Sequence, residues 1–379
     1  MAKIRIIQIA NSFGIGGREN VILNLCNNLS TEKFDIHLVL LSNDNNEQTA
    51  KLLPHVKVHI LPFSERSFNG FKIVTIFIPL ILLLRKKINH INPHVIHSHA
   101  LFVWLVIICL AIKLSKAKVS HFHTVHTSGL YYSNKGFVNW IRLNSEKLAL
   151  KLNDSIIIAI SKGLKNNLNK IFKNKVELVY NGIDFKNFIP QTNIEIEKLI
   201  NDRTVVTYLS RLDVGKNHLL LLEAWKKVVE INQNVVLFLI GDGKEREKIE
   251  KFIQKNSLQE SVILFGNSNE VATILSYSHI AVFPSLFEGL PISLLEKMAF
   301  KLPVIVSDID IFKEIIISDL DGLMFKQNSS DDLFEKINLV LNNKNLANKI
   351  AKNGFIKSQE FSIERMIRRH ELLYLNNIR

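Results

Sequence analysis

A chain of 379 residues, 47% hydrophobic and 22% charged, is long enough for about two domains with separate cores and too apolar to be disordered. Its 48 Lys and Arg against 35 Asp and Glu give a formal net charge of +13, which suits a phosphorylated substrate or an anionic membrane surface. No arginine-rich tract, zinc-ligand spacing or ribonucleoprotein aromatic motif accompanies that charge, so nucleic acid is not an expected partner.

Short β-branched runs open the chain and alternate with helical segments. Strands are predicted over Ile4–Ile9, Ile36–Leu41, Val56–Leu61, Val95–His97, Val119–Val125, Ile156–Ile160 and Val176–Tyr180, with a helix from about Glu19. The first strand opens into Asn11-Ser-Phe-Gly-Ile-Gly-Gly17, whose glycines lack dinucleotide-binding spacing and by composition read as a tight turn. The apolar runs Ile73–Leu84 and Leu101–Ile112 are shorter than the roughly 20 residues a bilayer span needs and read as sheet-covering helices. The first, flanked by Lys72 and Arg85-Lys-Lys87, would touch a membrane surface if its apolar face were left uncovered. Cys26 and Cys109 fall in segments that read as buried helices and are expected as reduced thiols. The opening residues lead into a strand rather than a cleavable apolar region, so the expected location is the cytoplasm, with peripheral contact at the inner face of the cell membrane.

His97, His99, His121, His123 and His126 gather near the predicted carboxyl ends of strands. They have no matching Cys or carboxylate spacing for a metal, and His97 and His99 are expected to shape the floor of a cleft by hydrogen bonding. At Asn181-Gly-Ile-Asp184 the alternation stops, and the polar stretch to about Asn201 reads as a linker. Strands then restart at Val205–Leu209, Val235–Ile240, Val262–Phe265, Ile280–Phe283 and Val304–Val306. This architectural repeat predicts an α/β chain of two Rossmann-like parallel-sheet domains facing each other across a cleft. Their expected limits are 1–187 and 188–360, followed by a C-terminal helix over 361–379.

In the second half, Arg211 and Lys216 flank the first strand-to-helix loop, where a planar fork and a mobile point charge suit neighbouring phosphates. Gly241-Asp-Gly243 reads as a turn into a helix that Asp242 would cap. Within Ser285-Leu-Phe-Glu-Gly-Leu-Pro-Ile-Ser-Leu-Leu-Glu296, Pro291 fits the first helical position and places apolar Leu290 at the N-cap. The N–H groups at Ile292 and Ser293, just beyond Gly289 and Leu290, are then free to meet an oxyanion. Glu296 lies roughly 7 Å further along the axis, within reach of a sugar hydroxyl, and Glu288 precedes the helix. Acceptor oxygens around a diphosphate site suggest a nucleotide sugar; a capping acid and a solvated helix face account for the same spacing. Asp308-Ile-Asp310 matches a D-x-D pattern, but its place after a late strand makes a chance match the expectation.

Glu288, seven intervening residues and Glu296, followed by Lys297-Met-Ala and Leu302-Pro-Val-Ile-Val-Ser-Asp308, resemble the signature of the retaining glycosyltransferases of family 4, of GT-B fold. The resemblance covers nearly the whole chain and departs at Lys301, where the family has Gly. It implies transfer of a sugar from a nucleotide-diphosphate donor, a UDP-sugar first, to a hydroxyl of a glycan or lipid-linked acceptor, without metal or other cofactor. By the same resemblance Arg211 and Lys216 bind the diphosphate, Glu296 the ribose, Glu288 the donor sugar, and Gly16 and Gly17 border donor and acceptor. Thr124-Val-His126 is similar to a family segment whose histidine lies beside the transferred sugar, which makes His126 the catalytic candidate. The C-terminal helix crosses back to the first domain in that fold. A GT-B nucleotide-sugar epimerase and a catalytically silent sugar-nucleotide-binding subunit remain alternatives.

Overall fold

The computed structural model describes residues 3–14, 16–64, 72–100, 102–126, 136–185, 190–268 and 270–378. It divides into two compact units, Met1–Gly182 with Ile363–Arg379, and Ile183–Ser362. The expected boundary at 187/188 lies outside the described residues, as do Ile15 of the glycine loop and Leu101.

In the first unit, strands β1 (Ile4–Ala10), β2 (Phe34–Leu40), β3 (Lys57–Ile60), β4 (Val95–Ser98), β5 (Ser120–Val125), β6 (Ile156–Ala159) and β7 (Val176–Leu178) form one sheet. Its order is β3-β2-β1-β4-β5-β6-β7, and every neighbouring pair is parallel. The connections include helices α1 (Gly17–Asn28), α2 (Lys72–Ile91), α3 (Val103–Leu114), α4 (Phe137–Leu152) and α5 (Lys162–Ile171). Parallel strands need such crossovers, and the two covered faces leave β4 buried over its whole length and β1 buried from Ile6 to Ala10. Ile7, Ile9, Val39 and Ile96 pack with Leu80, Leu84 and Ile88 of α2 and Ile107, Ile108 and Ala111 of α3. Cys26 and Cys109 are free and buried in α1 and α3, and burial pushes the Cys109 thiol up to about 12.

The second unit repeats the plan. Strands β8 (Thr204–Leu209), β9 (Val235–Ile240), β10 (Val262–Gly266), β11 (Ile280–Phe283), β12 (Val304–Ser307) and β13 (Leu323–Phe325) lie in the order β10-β9-β8-β11-β12-β13, again all parallel. Its helices are α6 (Ile194–Ile200), α7 (His218–Ile231), α8 (Arg246–Lys255), α9 (Val271–Ser276), α10 (Ile292–Ala299), α11 (Asp310–Ile315), α12 (Ser330–Asn342) and α13 (Lys344–Ser358). The last helix, α14 (Ile363–Asn376), packs on the first unit, where Tyr374 is fully buried against Phe34 and Phe122. Both sheets place their first strand centrally and reverse direction beside it, the Rossmann arrangement.

Three local expectations need correction. The stretch read as a linker contains α6, whose first N–H groups are capped by the Asn193 side chain and whose Ile196 and Ile200 pack on Val205, Val236 and Phe238. Strand β13 was not predicted from the sequence, because three residues are too few to show a period. Asp242 does not cap α8: its Oδ1 accepts the Gly243 N–H at 2.7 Å, and Glu245 holds the cap position.

Lys301 explains how the chain replaces the glycine of the family pattern. It follows the end of α10 at φ +58°, donates its N–H to Met298 C=O at 3.0 Å, and sets Nζ 4.9 Å from the Phe355 ring centroid. A left-handed residue costs about 1–2 kcal/mol, which the cation–π contact offsets by about 0.5–1 kcal/mol. Lys301→Gly is therefore expected to change denaturant-unfolding stability by less than about 1 kcal/mol, since glycine also adds freedom to the unfolded chain. Lys301→Ile should lose more than about 1 kcal/mol, because a β-branched side chain does not tolerate positive φ. An isoleucine variant as stable as the parent would contradict this reading.

Candidate active site

In the second unit the loops after β8 and β11 lie together at the switch of strand direction. Gly215 makes their approach possible: a Cβ there would stand 2.5 Å from Phe287 Cζ. Leu286 N–H donates to Gly215 C=O at 2.9 Å, which fixes the second loop on the first. Beneath them the buried Tyr208 hydroxyl donates to Lys216 C=O at 2.9 Å and meets Ser285 Oγ at 3.0 Å. Burial and the nearby Glu288 charge raise the pKa of this phenol.

On that frame Lys216 Nζ donates to Glu288 Oε1 at 2.5 Å, and Ser285 Oγ donates to the same oxygen at 2.8 Å. Lys216 and Glu288, assigned from sequence to diphosphate and sugar, thus hold each other. Arg211 is 81% exposed and makes a 3.4 Å ion pair with Asp213. An exposed pair of that kind holds its partner weakly.

Helix α10 starts one residue later than the sequence suggests. Pro291, not Leu290, is the N-cap, with φ −79° and ψ 93°, and its C=O accepts from Leu294 at 3.0 Å. Its extended ψ keeps Pro291 outside the helix, while Leu290 is buried as an apolar anchor. No side chain caps α10. The first-turn donors at Ile292 and Ser293 follow Gly289 and Leu290 at the positive end of the helix dipole.

Glu296 is the fifth residue of α10, with 26% of its side chain exposed. Burial raises its carboxyl pKa, and the Lys297 ammonium 4.0 Å away opposes that rise. Lys297 belongs to the motif but received no role from it, although its i−3 neighbour Leu294 and its successor Met298 mark the inward face. It is fully buried, its Nζ has no hydrogen-bond partner among the described residues, and it stands 6.0 Å from the Phe283 ring centroid. Burial draws its pKa down to about 8.

The D-x-D pair is engaged in local structure. Asp308 accepts the Gln327 N–H at 2.9 Å and faces Lys313 at 3.8 Å, while Asp310 opens α11. Among the described residues no group of three or more His, Cys, Asp or Glu is placed to hold a metal.

In the first unit the glycine loop and the histidines meet at the corresponding edge. Gly16 is the extended N-cap of α1 and Gly17 its first residue; a Cβ on Gly16 would stand 2.5 Å from Glu19 Oε2. Arg18 pairs with Glu19 and donates to Asn11 Oδ1 at 2.9 Å. A depression beside the loop is lined by Ser12, Gly14, Glu19, Asn45 and Glu47, hydroxyl and carboxylate groups that suit sugar hydroxyls better than phosphate. His126 follows β5, and its Nε2 lies 2.9 Å from His99 Nδ1. Burial first, then the Arg18 charge, holds its pKa down to about 3, so it is neutral at physiological pH. His121 and His123 share Ser98 Oγ at 3.0 and 2.9 Å and lie deeper in the core.

The two units define an α/β protein of paired Rossmann-like parallel sheets. Residues 15–187 match the model for Glycosyltransferase Family 4, and residues 190–357 match that for Glycosyl transferases group 1. An uncharacterized glycosyltransferase of Methanocaldococcus jannaschii is 31% identical over 342 residues, 85% of this chain and 90% of its own length. The chain belongs to glycosyltransferase family 4. The UDP-Gal:alpha-D-GlcNAc-diphosphoundecaprenol alpha-1,3-galactosyltransferase of Escherichia coli is 25% identical over 389 residues, 100% of this chain and 98% of that one. Among solved structures, Anabaena HepE in complex with UDP and glucose aligns with a TM-score of 0.77 at 17% identity, covering 98% of this chain and 99% of that one.

Replacing Lys297 by Met tests its buried charge. The folded state binds this proton less tightly than the unfolded state, so parent stability should rise between about pH 8 and the ordinary lysine value of 10.5. The penalty is full below that window and amounts to about 3 kcal/mol. Denaturant unfolding should show Lys297→Met more stable than the parent at pH 7 and the difference shrinking toward pH 10.5. A difference independent of pH would show that the buried ammonium carries no such cost.

Proposed function

We propose that the protein transfers a sugar with retention from a nucleotide-diphosphate donor, a UDP-sugar in the first instance, to a hydroxyl of a lipid-linked or polysaccharide acceptor. The observation that carries this reading is the uncapped start of α10 beside the Lys216–Glu288 pair, with Glu296 further along the same helix. Leaving diphosphate would collect the Ile292 and Ser293 N–H groups, Arg211 and Lys216, preorganised donors where negative charge develops. Lys216 would exchange Glu288 for phosphate, releasing that carboxylate to accept a donor-sugar hydroxyl. Glu296 would accept from the ribose, and His126 would orient the reacting sugar. These cations and N–H groups supply the neutralisation for which other transferases use a metal. Attack from the face of the leaving group needs no covalent nucleophile. The Escherichia coli relative, named for UDP-Gal and a diphosphoundecaprenol acceptor, and the Anabaena complex with UDP support the donor and acceptor classes.

A lipid-linked acceptor fits a second feature. No helix among the described residues is long and apolar enough to cross a membrane, but α2 and α4, both packed against α3, leave apolar stripes uncovered. Ile78 and Leu82 on α2 are 64% and 50% exposed, and Trp140 and Leu148 on α4 are 62% and 60% exposed. Lys86 and Lys151 are exposed on the same helices. We assign these stripes to peripheral contact with the anionic inner face of the cell membrane. Sedimentation with phosphatidylglycerol vesicles should retain the parent and release a Leu82→Glu/Trp140→Glu variant; equal retention would refute the contact.

Titration calorimetry with UDP separates the carboxylates. Glu296→Gln should weaken UDP by about 1.5–3 kcal/mol, the worth of a charge-assisted hydrogen bond. Glu288→Gln should bind UDP at least as tightly as the parent, because it frees Lys216, yet slow turnover of the full donor. The reverse pattern would sink this division of roles. Donor consumption that needs no acceptor would indicate epimerisation instead, and no consumption at all a silent subunit.

A further inference from the structure

Behind His126 runs a buried chain of hydrogen bonds that ends on the C-terminal helix. His126 Nε2 meets His99 Nδ1 at 2.9 Å, and His99 Nε2 meets Gln8 Oε1 at 2.8 Å. Gln8 Nε2 donates to the Tyr374 hydroxyl at 3.3 Å, that hydroxyl meets His97 Nδ1 at 2.7 Å, and His97 Nε2 meets Thr124 Oγ1 at 2.6 Å. Gln8, His97, His99, Thr124 and Tyr374 are all buried, so none of them can exchange these partners for bulk water.

Donor and acceptor roles follow from one group. The Gln8 amide is turned with Oε1 toward His99 and Nε2 toward Tyr374, and because an amide oxygen only accepts, His99 Nε2 carries a proton toward Gln8. Burial and the neighbouring imidazoles keep His99 neutral, which leaves its Nδ1 an acceptor. His126 Nε2 must then be the donor in the 2.9 Å contact, and a neutral His126 has a bare Nδ1. At the far end, Gln8 Nε2 donates to Tyr374, whose proton goes to His97 Nδ1, leaving His97 Nε2–H for Thr124.

We propose that Gln8 and His99, with the Gln8 amide oriented by Tyr374, are positioning residues that lock His126 as its Nε2–H tautomer and present Nδ1 to the ligand as an obligate hydrogen-bond acceptor. The ligand group met by His126 is therefore a donor, a neutral hydroxyl or amide N–H, and not a phosphate or carboxylate oxygen. Within the proposed glycosyltransfer this selects for a hydroxyl-bearing sugar at His126; the tautomer itself does not depend on that reading. It also gives α14 a role in the chemistry of the first unit, because Tyr374 supplies the hydroxyl that faces the Gln8 amide.

Two-bond 1H–15N correlation spectra of protein labelled with 15N-histidine test this without substrate. The His126 resonances are assigned by their loss in His126→Asn. In the parent at pH 7, His126 should show a single neutral tautomer protonated at Nε2. A Nδ1–H tautomer or an imidazolium would overturn the proposal while leaving the glycosyltransferase assignment intact. In Gln8→Leu, with fold checked by circular dichroism, the single Nε2–H signature should be lost to a mixture of tautomers. Its persistence in that variant would remove Gln8 from the positioning role, and the parent spectrum remains decisive if the variant does not fold.

Discussion

Parallel pairing is the constraint from which the rest of this molecule follows. Every named strand pair in both sheets is parallel, so each connection must cross back over a face of its sheet and each strand delivers its following loop to the same edge. In each unit the sheet reverses direction beside its first strand, between β1 and β4 and between β8 and β11. Adjacent loops diverge there, and ligands of open α/β sheets bind in such crevices. The glycine loop and His99 follow β1 and β4; the Arg211–Lys216 loop and the Ser285–Glu288 loop follow β8 and β11.

At the second of these edges two lysine–glutamate pairs have different physical characters. Lys216 and Glu288 are in direct contact, partly exposed and backed by Ser285, so either partner can be replaced by a ligand group of the same charge. Lys297 is fully enclosed and 4.0 Å from Glu296, and it acts through its field rather than through a hydrogen bond. Burial would otherwise favour a protonated Glu296, a poorer acceptor for hydroxyl groups. Under the proposed function, a buried cation that costs stability while keeping this carboxylate ionised would trade stability for ligand binding.

Much of the fold could be read from residues alone, because buried parallel strands write themselves as short β-branched runs. Val235–Ile240 and Ile280–Phe283 are strands with the limits that pattern suggested. What failed was local or long-range. Helix α6 depends on two isoleucines meeting a core built from distant strands, and β13 is shorter than any period. The start of α10 moved by one residue because Pro291 takes an extended ψ of 93°, which leaves it outside the helix. Glu288, Glu296, Arg211 and Lys216 are singled out as candidates by their motif positions, but the contact between Lys216 and Glu288 joins residues 72 apart. Gln8 and Tyr374 were invisible for the same reason: 366 positions separate two side chains that touch.

Under the proposed function, the uncapped start of α10 receives the diphosphate of a nucleotide sugar. Residue-resolved amide hydrogen exchange at Ile292 and Ser293, with and without UDP, tests it most directly. Saturating UDP should slow exchange at both amides, because phosphate oxygens would occupy donors that no side chain caps. Exchange at Ile292 and Ser293 unchanged by bound UDP would contradict the account.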